Sequence, residues 1–135
     1  MNLIMLQLLN IILNITHILL MLFIMTGWIF RRSRMIHLLV VLLTGFSWIV
    51  FINSKEIGYC ILTDWQWQVL GRMGRTNLPE TYIQYLYELL SGDSMLKATS
   101  RNITRSVWIF SLSVSMALFI KKYFYIQIQK IVNNH

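Results

Sequence analysis

Polar residues recur inside the first apolar stretch of the chain, where they could do chemistry in a hydrocarbon environment. Gln7, Asn10, Asn14 and His17 follow one another at spacings of three, four and three. This spacing places all four on one face of a helix. Polar groups that face lipid lose hydrogen bonds, so we expect this face to point into a helix bundle or toward a wet cavity. For His17 two interpretations stay open, namely hydrogen bonding between helices and the wall of a ligand or proton path.

A second group of residues that could do chemistry is a basic stripe near the start of the last apolar stretch. Lys97, Arg101 and Arg105 are each four residues apart, so they lie on one face of a helix. The stripe is either a set of cations that snorkel at a water–lipid boundary or an anion-binding site under an aromatic segment. We expect Asp64 or a lipid phosphate to neutralise its charge.

Sequence patterns of catalytic and metal sites are missing from the chain. There is no phosphate loop, no pair of carboxylates at useful spacing and no zinc-ligand spacing. His17 and His37 are expected at different depths in the membrane. His17 lies ~20 Å along its helix from the inner end of the first apolar run, whereas His37 lies close to that inner side. We therefore expect no catalytic residue, no metal and no cofactor. The single cysteine, Cys60, cannot form an internal disulfide, and it is either a small packed hydrophobe or a thiol for intermolecular chemistry.

Three long apolar runs must position these groups. They cover residues 8–30, 35–52 and 103–120, and the whole chain is 56% apolar and 13% charged. A helix that crosses a bilayer needs ~20 mostly apolar residues. The sequence therefore predicts an all-α fold, in which residues 1–135 form one integral membrane domain. This domain would be a small bundle of three transmembrane helices with short amphipathic helices in an outer cap, residues 53–102.

The distribution of charge predicts an orientation. The short link after the first run and the tail after the third run hold six of the twelve basic residues and no acidic residue: Arg31, Arg32, Arg34, Lys121, Lys122 and Lys130. All five acidic residues lie in the middle segment. Unbalanced Lys and Arg in short loops stay cytoplasmic, so we expect a multi-pass protein of a bacterial inner membrane with its N-terminus outside and its C-terminus inside. The cationic inner face suits anionic lipid, and no basic patch carries a nucleic-acid motif.

The outer cap is predicted to contain two short helices. Thr63 or Asp64 would cap the first, and Gly71 and Gly74 would end it. The second would hold Pro79 in its first turn, with Asn77 or Leu78 as cap, and would end at Ser91 with Gly92 behind it. The candidate cap residues are Tyr59, Cys60, Thr63, Asp64, Trp65 and Trp67. The two tryptophans should face different sides, one toward the bundle, while Asp93 and Ser94 should start a helix that continues into the third run.

The layout resembles a family of small bacterial integral membrane proteins known only as a domain of unknown function. The matching positions are His17, Gly27, Arg31–Arg34, His37-Leu38, Trp48 and Cys60-Ile61-Leu62-Thr63. The last of these matches a Cys-Pro-Leu-Thr signature, in which Ile61 replaces the proline. The stretch from Gly58 to Leu86 is similar to a subgroup associated with Bacteroidota. The resemblance implies a membrane location and no particular activity.

Three functions of different classes are compatible with these patterns. The favoured hypothesis is a non-enzymatic inner-membrane protein whose aromatic, partly basic cap binds a lipid or a membrane-protein partner. The alternative is a small accessory subunit or assembly factor of a larger membrane complex. The third is an enzyme for a lipid-linked substrate, with His17 or Asp64 as acid or base, which a closed pocket holding His17, Asp64 and Arg101 would favour.

Overall fold

The fold of the chain, given by a computed structural model, is all-helical, as the sequence predicts. The structure describes residues 2–51 and 59–133, and within these ranges it has five helices and no strand. They are α1 (Leu3–Thr26), α2 (Arg34–Phe51), α3 (Ile61–Arg72), α4 (Tyr82–Ser91) and α5 (Lys97–Asn133). The last residue of the second predicted span, Ile52, and the first six residues of the predicted cap lie outside the described residues.

Two of the helices are long and apolar enough to cross a membrane, namely α1 and α5, and α2 is a shorter apolar helix. Large apolar side chains cover the outward surface of these helices. Ile4, Leu19, Leu43 and Phe110 each expose more than half of their surface. In water such a surface would be unfavourable, whereas in hydrocarbon it costs nothing. The exposed apolar surface therefore agrees with a membrane environment for the three helices.

The longest helix, α5, departs from its predicted bounds at both ends. It starts at Lys97 and not at Asp93 or Ser94, because Gly92 adopts a left-handed conformation with φ of 77° and the chain after it forms a non-helical connection. It then continues without a break for 37 residues. Its length is ~55 Å at ~1.5 Å per residue, so it extends well past the predicted span of 103–120. No Gly or Pro interrupts it.

The helix ends in the cap differ from the predictions in three places. Cys60, and not Thr63 or Asp64, is the N-cap residue of α3, and its side chain makes no capping hydrogen bond. Helix α4 begins after Pro79 and does not include it. Thr81 takes the N-cap position, and its side-chain oxygen accepts a hydrogen bond of 3.2 Å from the backbone N–H of Gln84. Gly71 lies within α3. The predicted end of α4 at Ser91, with Gly92 as a left-handed cap, is confirmed.

The helices pair as α1 with α3 and α2 with α5, while α4 lies on α5. Gly45 allows the second pair to come close, because a Cβ atom there would overlap Cζ2 of Trp108. The Trp108 ring therefore lies directly on α2, and its Nε1 donates a hydrogen bond of 2.9 Å to the carbonyl of Val41. A small residue of the second run thus permits close packing at Gly45.

His37 joins three helices at a fully buried junction. Its Nδ1 lies 2.6 Å from Oγ of Ser115 on α5, and its Nε2 lies 3.0 Å from the carbonyl of Ile24 on α1. Ser111 donates a further hydrogen bond of 2.7 Å to the Ile24 carbonyl. Ser111 and Ser115 therefore link α5 to both other helices through hydrogen bonds. Gly27 makes room for the imidazole, because a Cβ there would lie 2.7 Å from Cδ2 of His37. We call this group the His37 junction.

Candidate functional site

A hydrogen-bond network ties the polar face of α1 to both cap helices. The Asn14 amide donates to the Asn10 side-chain oxygen at 3.2 Å, and Gln66 of α3 donates to the same oxygen at 3.0 Å. Tyr82 of α4 donates to Oδ1 of Asn14 at 2.9 Å. Burial raises the pKa of Tyr82 to about 12, with a smaller contribution from the neighbouring Tyr85. The Tyr82 hydroxyl therefore remains a donor at neutral pH. The face that carries Asn10 and Asn14 therefore points toward the cap helices.

His17 sits at the inner end of this network, where the two cap helices meet α1. Its ring stacks on the Tyr82 ring, with centroids 3.7 Å apart and planes 5° from parallel. Its Nε2 lies 3.7 Å from Sγ of Cys60, which in turn lies 3.2 Å from the Thr63 hydroxyl. His17 is 5% exposed, yet its Nδ1 has no hydrogen-bond partner among the described residues. It thus keeps hydrogen-bonding capacity that the surrounding helices do not use.

Gln7 does not join the polar face, although the spacing of three, four and three predicted that it would. Its side chain is exposed, whereas Leu6 beside it is buried against α3 together with Leu13. An α-helix advances ~100° per residue, so ten residues place Gln7 ~80° away from His17 around the axis. Gln7 lies only ~20° from Asn14 around the axis, however, so it leaves the network because it is two helical turns closer to the N-terminus.

Asp64, the carboxylate expected to neutralise the basic stripe, is occupied by contacts within the cap itself. It accepts a hydrogen bond of 2.9 Å from the Tyr59 hydroxyl and one of 2.7 Å from the Gln68 amide. Burial and this hydrogen bond raise the pKa of Tyr59. Trp67 donates to the Pro79 carbonyl at 2.8 Å and meets the Tyr85 ring edge-on. Trp65, in contrast, is 51% exposed, so the two tryptophans do face different sides of α3.

The basic stripe of α5 meets a different carboxylate from the one that the sequence suggested. Glu80 lies 2.8 Å from Nζ of Lys97 and 3.9 Å from a terminal nitrogen of Arg101. Asp64 therefore does not neutralise the stripe, since its oxygens accept from Tyr59 and Gln68. Arg105 buries its Nε without a hydrogen-bond partner among the described residues. Among the described residues, Glu80 is thus the carboxylate placed beside both Lys97 and Arg101.

A cavity of about 280 Å³ lies beneath the cap, between α1, α2 and α5. His17, Cys60 and Tyr82 line its cap side, and Trp48 and Trp108, whose ring centroids are 5.2 Å apart, line the opposite wall. Neither Asp64 nor Arg101 lines it, so the three residues that would favour an enzyme are not brought together there. The two histidines also lie in separate places, because His37 belongs to the junction below.

The wall of the cavity offers almost no free polar group. The hydroxyls of Thr44 and Thr104 donate to the carbonyls of Val40 and Ser100 on their own helices, at 2.9 and 2.8 Å. The Trp108 N–H is bound to α2. The remaining lining is apolar and includes Met25 and Ile103, which are 50% and 39% exposed. The cavity therefore opens toward the lateral surface of the bundle between α1 and α5.

Sequence reasoning missed two polar residues of this region, Gln66 and Thr81. Gln66 is fully buried, and it shares one face of α3 with Thr63, Val69 and Leu70. A helical period of three and four residues links these four positions, so the signal was present. The adjacent Trp65 and Trp67 give the two other faces of the same helix the stronger aromatic signal in the sequence.

A family model described as Protein of Unknown function (DUF2784) matches residues 7–121. The chain belongs to this family. Neither a curated protein nor a solved structure matches it. The resemblance drawn from Cys60-Ile61-Leu62-Thr63 is thereby confirmed, and the structure explains the departure within it. Ile61 is the first residue of α3, a position at which proline is favoured because its missing N–H would have no helical partner. In this chain the helix starts at Ile61 without the proline.

Proposed function

We propose that this protein is a non-enzymatic membrane protein that binds the apolar chain of a membrane lipid in the cavity beneath its cap. The observation that carries the proposal is the chemistry of the wall, in which the threonine hydroxyls and the Trp108 N–H are already bound and aromatic and aliphatic surface remains. Ligand cavities of small molecules usually hold about 300–1,000 Å³, so a cavity of about 280 Å³ suits part of a lipid and not a whole one.

The lateral opening between α1 and α5 supports a ligand that arrives from the bilayer and not from water. A lipid chain that moves sideways through this opening would leave one apolar environment for another. Its affinity would then come from close contact with the Trp48 and Trp108 rings. His17 and Tyr82 would close the cavity on the cap side, where the partner-free nitrogen of His17 is available to a polar group on the same ligand after a small shift of the ring.

A substitution that fills the cavity tests the proposal. Val107 lines the cavity, and Val107→Phe should weaken the binding of a fluorescent acyl-chain probe to the delipidated protein in detergent. We expect the Kd to rise about tenfold, which corresponds to the loss of about 1.4 kcal/mol of apolar contact. Val50→Phe is the matched control, because Val50 is 61% exposed on α2 and should leave the Kd unchanged. Equal binding by both variants, each folded by circular dichroism, would contradict the proposal.

A second function, that of an accessory subunit, is favoured by one separate observation. Leu89, Leu90 and Leu96 expose 59%, 78% and 77% of their surface around the end of α4, outside the apolar helices. A photo-crosslinking residue at Leu90, compared with one at the exposed Arg75, tests this function in cells. One discrete protein adduct at Leu90 and none at Arg75 would support a partner, whereas lipid adducts alone would reject it.

The proposed orientation places the cap outside the membrane. Cys60 is buried, so it is a poor target for labelling, and cysteines introduced at exposed positions of a Cys60→Ser variant serve better. We expect Arg75→Cys to react with a membrane-impermeant thiol reagent in intact spheroplasts. Arg32→Cys, on the link after α1, should react only after permeabilisation. The reverse pattern would show the opposite orientation.

A further inference from the structure

A second cleft lies at the opposite end of the bundle from the cap, between the link that joins α1 to α2 and the far half of α5. Its volume is about 810 Å³. Four cations line it, namely Arg31 and Arg34 on one side and Lys121 and Lys122 on the other. We call it the basic cleft. It does not share lining residues with the apolar cavity, from which the His37 junction separates it.

The His37 junction is what brings these cations together. Ser115 lines the basic cleft and also holds Nδ1 of His37 through a contact of 2.6 Å. Helices α2 and α5 are antiparallel. The start of α2, which precedes His37, therefore lies beside the part of α5 that follows Ser115. Lys121 and Lys122 then reach the level of Arg31 and Arg34, although about ninety residues separate the two pairs in the sequence.

The charge of the basic cleft has no protein counterpart among the described residues that line it, since none of them is acidic. All five acidic residues of the chain lie between positions 56 and 93, in the segment that holds the cap. Arg34 is held in place by a hydrogen bond of 3.1 Å from its Nε to the Trp28 carbonyl. That bond uses one of five guanidinium N–H groups, so four remain for an anion.

The wall of the cleft is amphipathic. Met35, Leu118 and Phe119 form its apolar part next to the membrane-spanning portion of α5, and Tyr125 and Ile128 continue it beyond the lysines. Phe119 and Tyr125 are 40% and 64% exposed. A ligand that fits this wall carries a negative group at the level of the cations and apolar chains on the membrane side, which is the chemistry of an anionic phospholipid.

We propose that the basic cleft binds the phosphate of an anionic phospholipid between Arg31 and Arg34 on one side and the lysines of α5 on the other. The phosphate would accept charge-assisted hydrogen bonds from guanidinium and ammonium groups on two separate segments. The acyl chains would lie on the apolar side of α5. This site differs from the cavity of the proposed function in location and ligand group, so each can fail without the other.

The experiment measures the binding of phosphatidylglycerol to the purified full-length chain in a mild uncharged detergent, by native mass spectrometry. The test variant is Lys121→Gln with Lys122→Gln. The matched control is Arg32→Gln with Lys130→Gln. It removes the same charge from the same end of the helix bundle, at residues that do not line the cleft. We expect the test variant to bind about tenfold more weakly, the effect of losing about 1.4 kcal/mol of charge-assisted contact.

The outcomes separate the site from general charge attraction. Retained binding in the control and weakened binding in the test variant support the proposal, whereas equal weakening in both, or none in either, overturns it. Equal binding of phosphatidylcholine, or displacement of the lipid by millimolar inorganic phosphate, also overturns it, because the site would then not select an anionic lipid. If the test variant is not folded, Arg31→Gln with Lys121→Gln replaces it under the same criteria.

Discussion

His17 and His37 lie in similarly apolar surroundings, yet the two regions that hold them are built differently. Both ring nitrogens of His37 have partners, and these partners belong to two other helices. His17 has a stacked ring on one side, a thiol near one nitrogen, and no hydrogen-bond partner for the other among the described residues. A fully satisfied polar group fixes helix packing, whereas an incompletely satisfied one beside a cavity remains available for binding.

The largest effect should come from removing the imidazole of the His37 junction. His37→Leu leaves the Ser115 hydroxyl without its partner in a buried position, so we expect the free energy of unfolding to fall by about 2–3 kcal/mol. His17→Leu should insert normally and cost about 1 kcal/mol, the scale of one polar contact between membrane helices. Unfolding of both variants in a mixed-detergent titration measures the difference. A larger loss for His17→Leu would reverse the contrast between the two regions.

A smaller effect should follow from adding one methyl group to the glycine beside His37. In Gly27→Ala the new Cβ would lie 2.7 Å from the imidazole, so the junction must widen, and we expect a loss of about 1–2 kcal/mol. Gly71→Ala is the control in the cap, because no atom lies within 4 Å of its added Cβ and it lies inside α3. That change should stabilise the protein by up to about 1 kcal/mol. Thermal unfolding of the two variants should therefore shift in opposite directions.

The network of the cap region should contribute less than the His37 junction. Tyr82→Phe keeps the ring that stacks on His17 and removes the hydrogen bond to Asn14, so we expect a loss of about 1 kcal/mol. Tyr87→Phe is the matched control, because Tyr87 is 41% exposed on the same helix and should change nothing measurable. The same unfolding titration serves for both. Equal stability of the two variants would show that stacking, and not the hydrogen bond, holds α4 on α1.

The smallest effect belongs to the ion pair at the start of α5. The Lys97 side chain is 65% exposed, so its pair with Glu80 is screened by solvent. Lys97→Gln should lower stability by about 0.5 kcal/mol or less, and added salt should reduce the difference further. Unfolding at low and high salt measures both effects. A loss above about 1 kcal/mol that salt does not change would assign the stripe a structural role comparable with that of the histidines.

A local feature of the fold can be predicted from the sequence where a single residue type determines it. The left-handed end of α4 at Gly92 is one example, because glycine alone adopts such a conformation without strain. Helix starts were harder, since Thr63, Asp64, Asn77 and Thr81 all have capping side chains. The structure uses Thr81, where the chain leaves the Pro79 turn, and it uses Cys60 for α3 although that residue offers no capping bond. Competition among equivalent local signals is resolved by packing.

The sequence by itself determined the helical class, the family, the polar face of α1 and the separation of basic from acidic segments. The family follows from motifs such as Cys60-Ile61-Leu62-Thr63 and from the match over residues 7–121. The other properties follow from composition and from periods of three and four residues, which act over one or two turns. Only the tertiary structure decided that Glu80 and not Asp64 faces the basic stripe, that Gln66 joins the α1 network, and that Arg31 shares a cleft with Lys121. These pairings depend on which helices meet and at what level. That choice is made by distant contacts, such as His37 with Ser115 and Trp108 over Gly45, which no local pattern encodes.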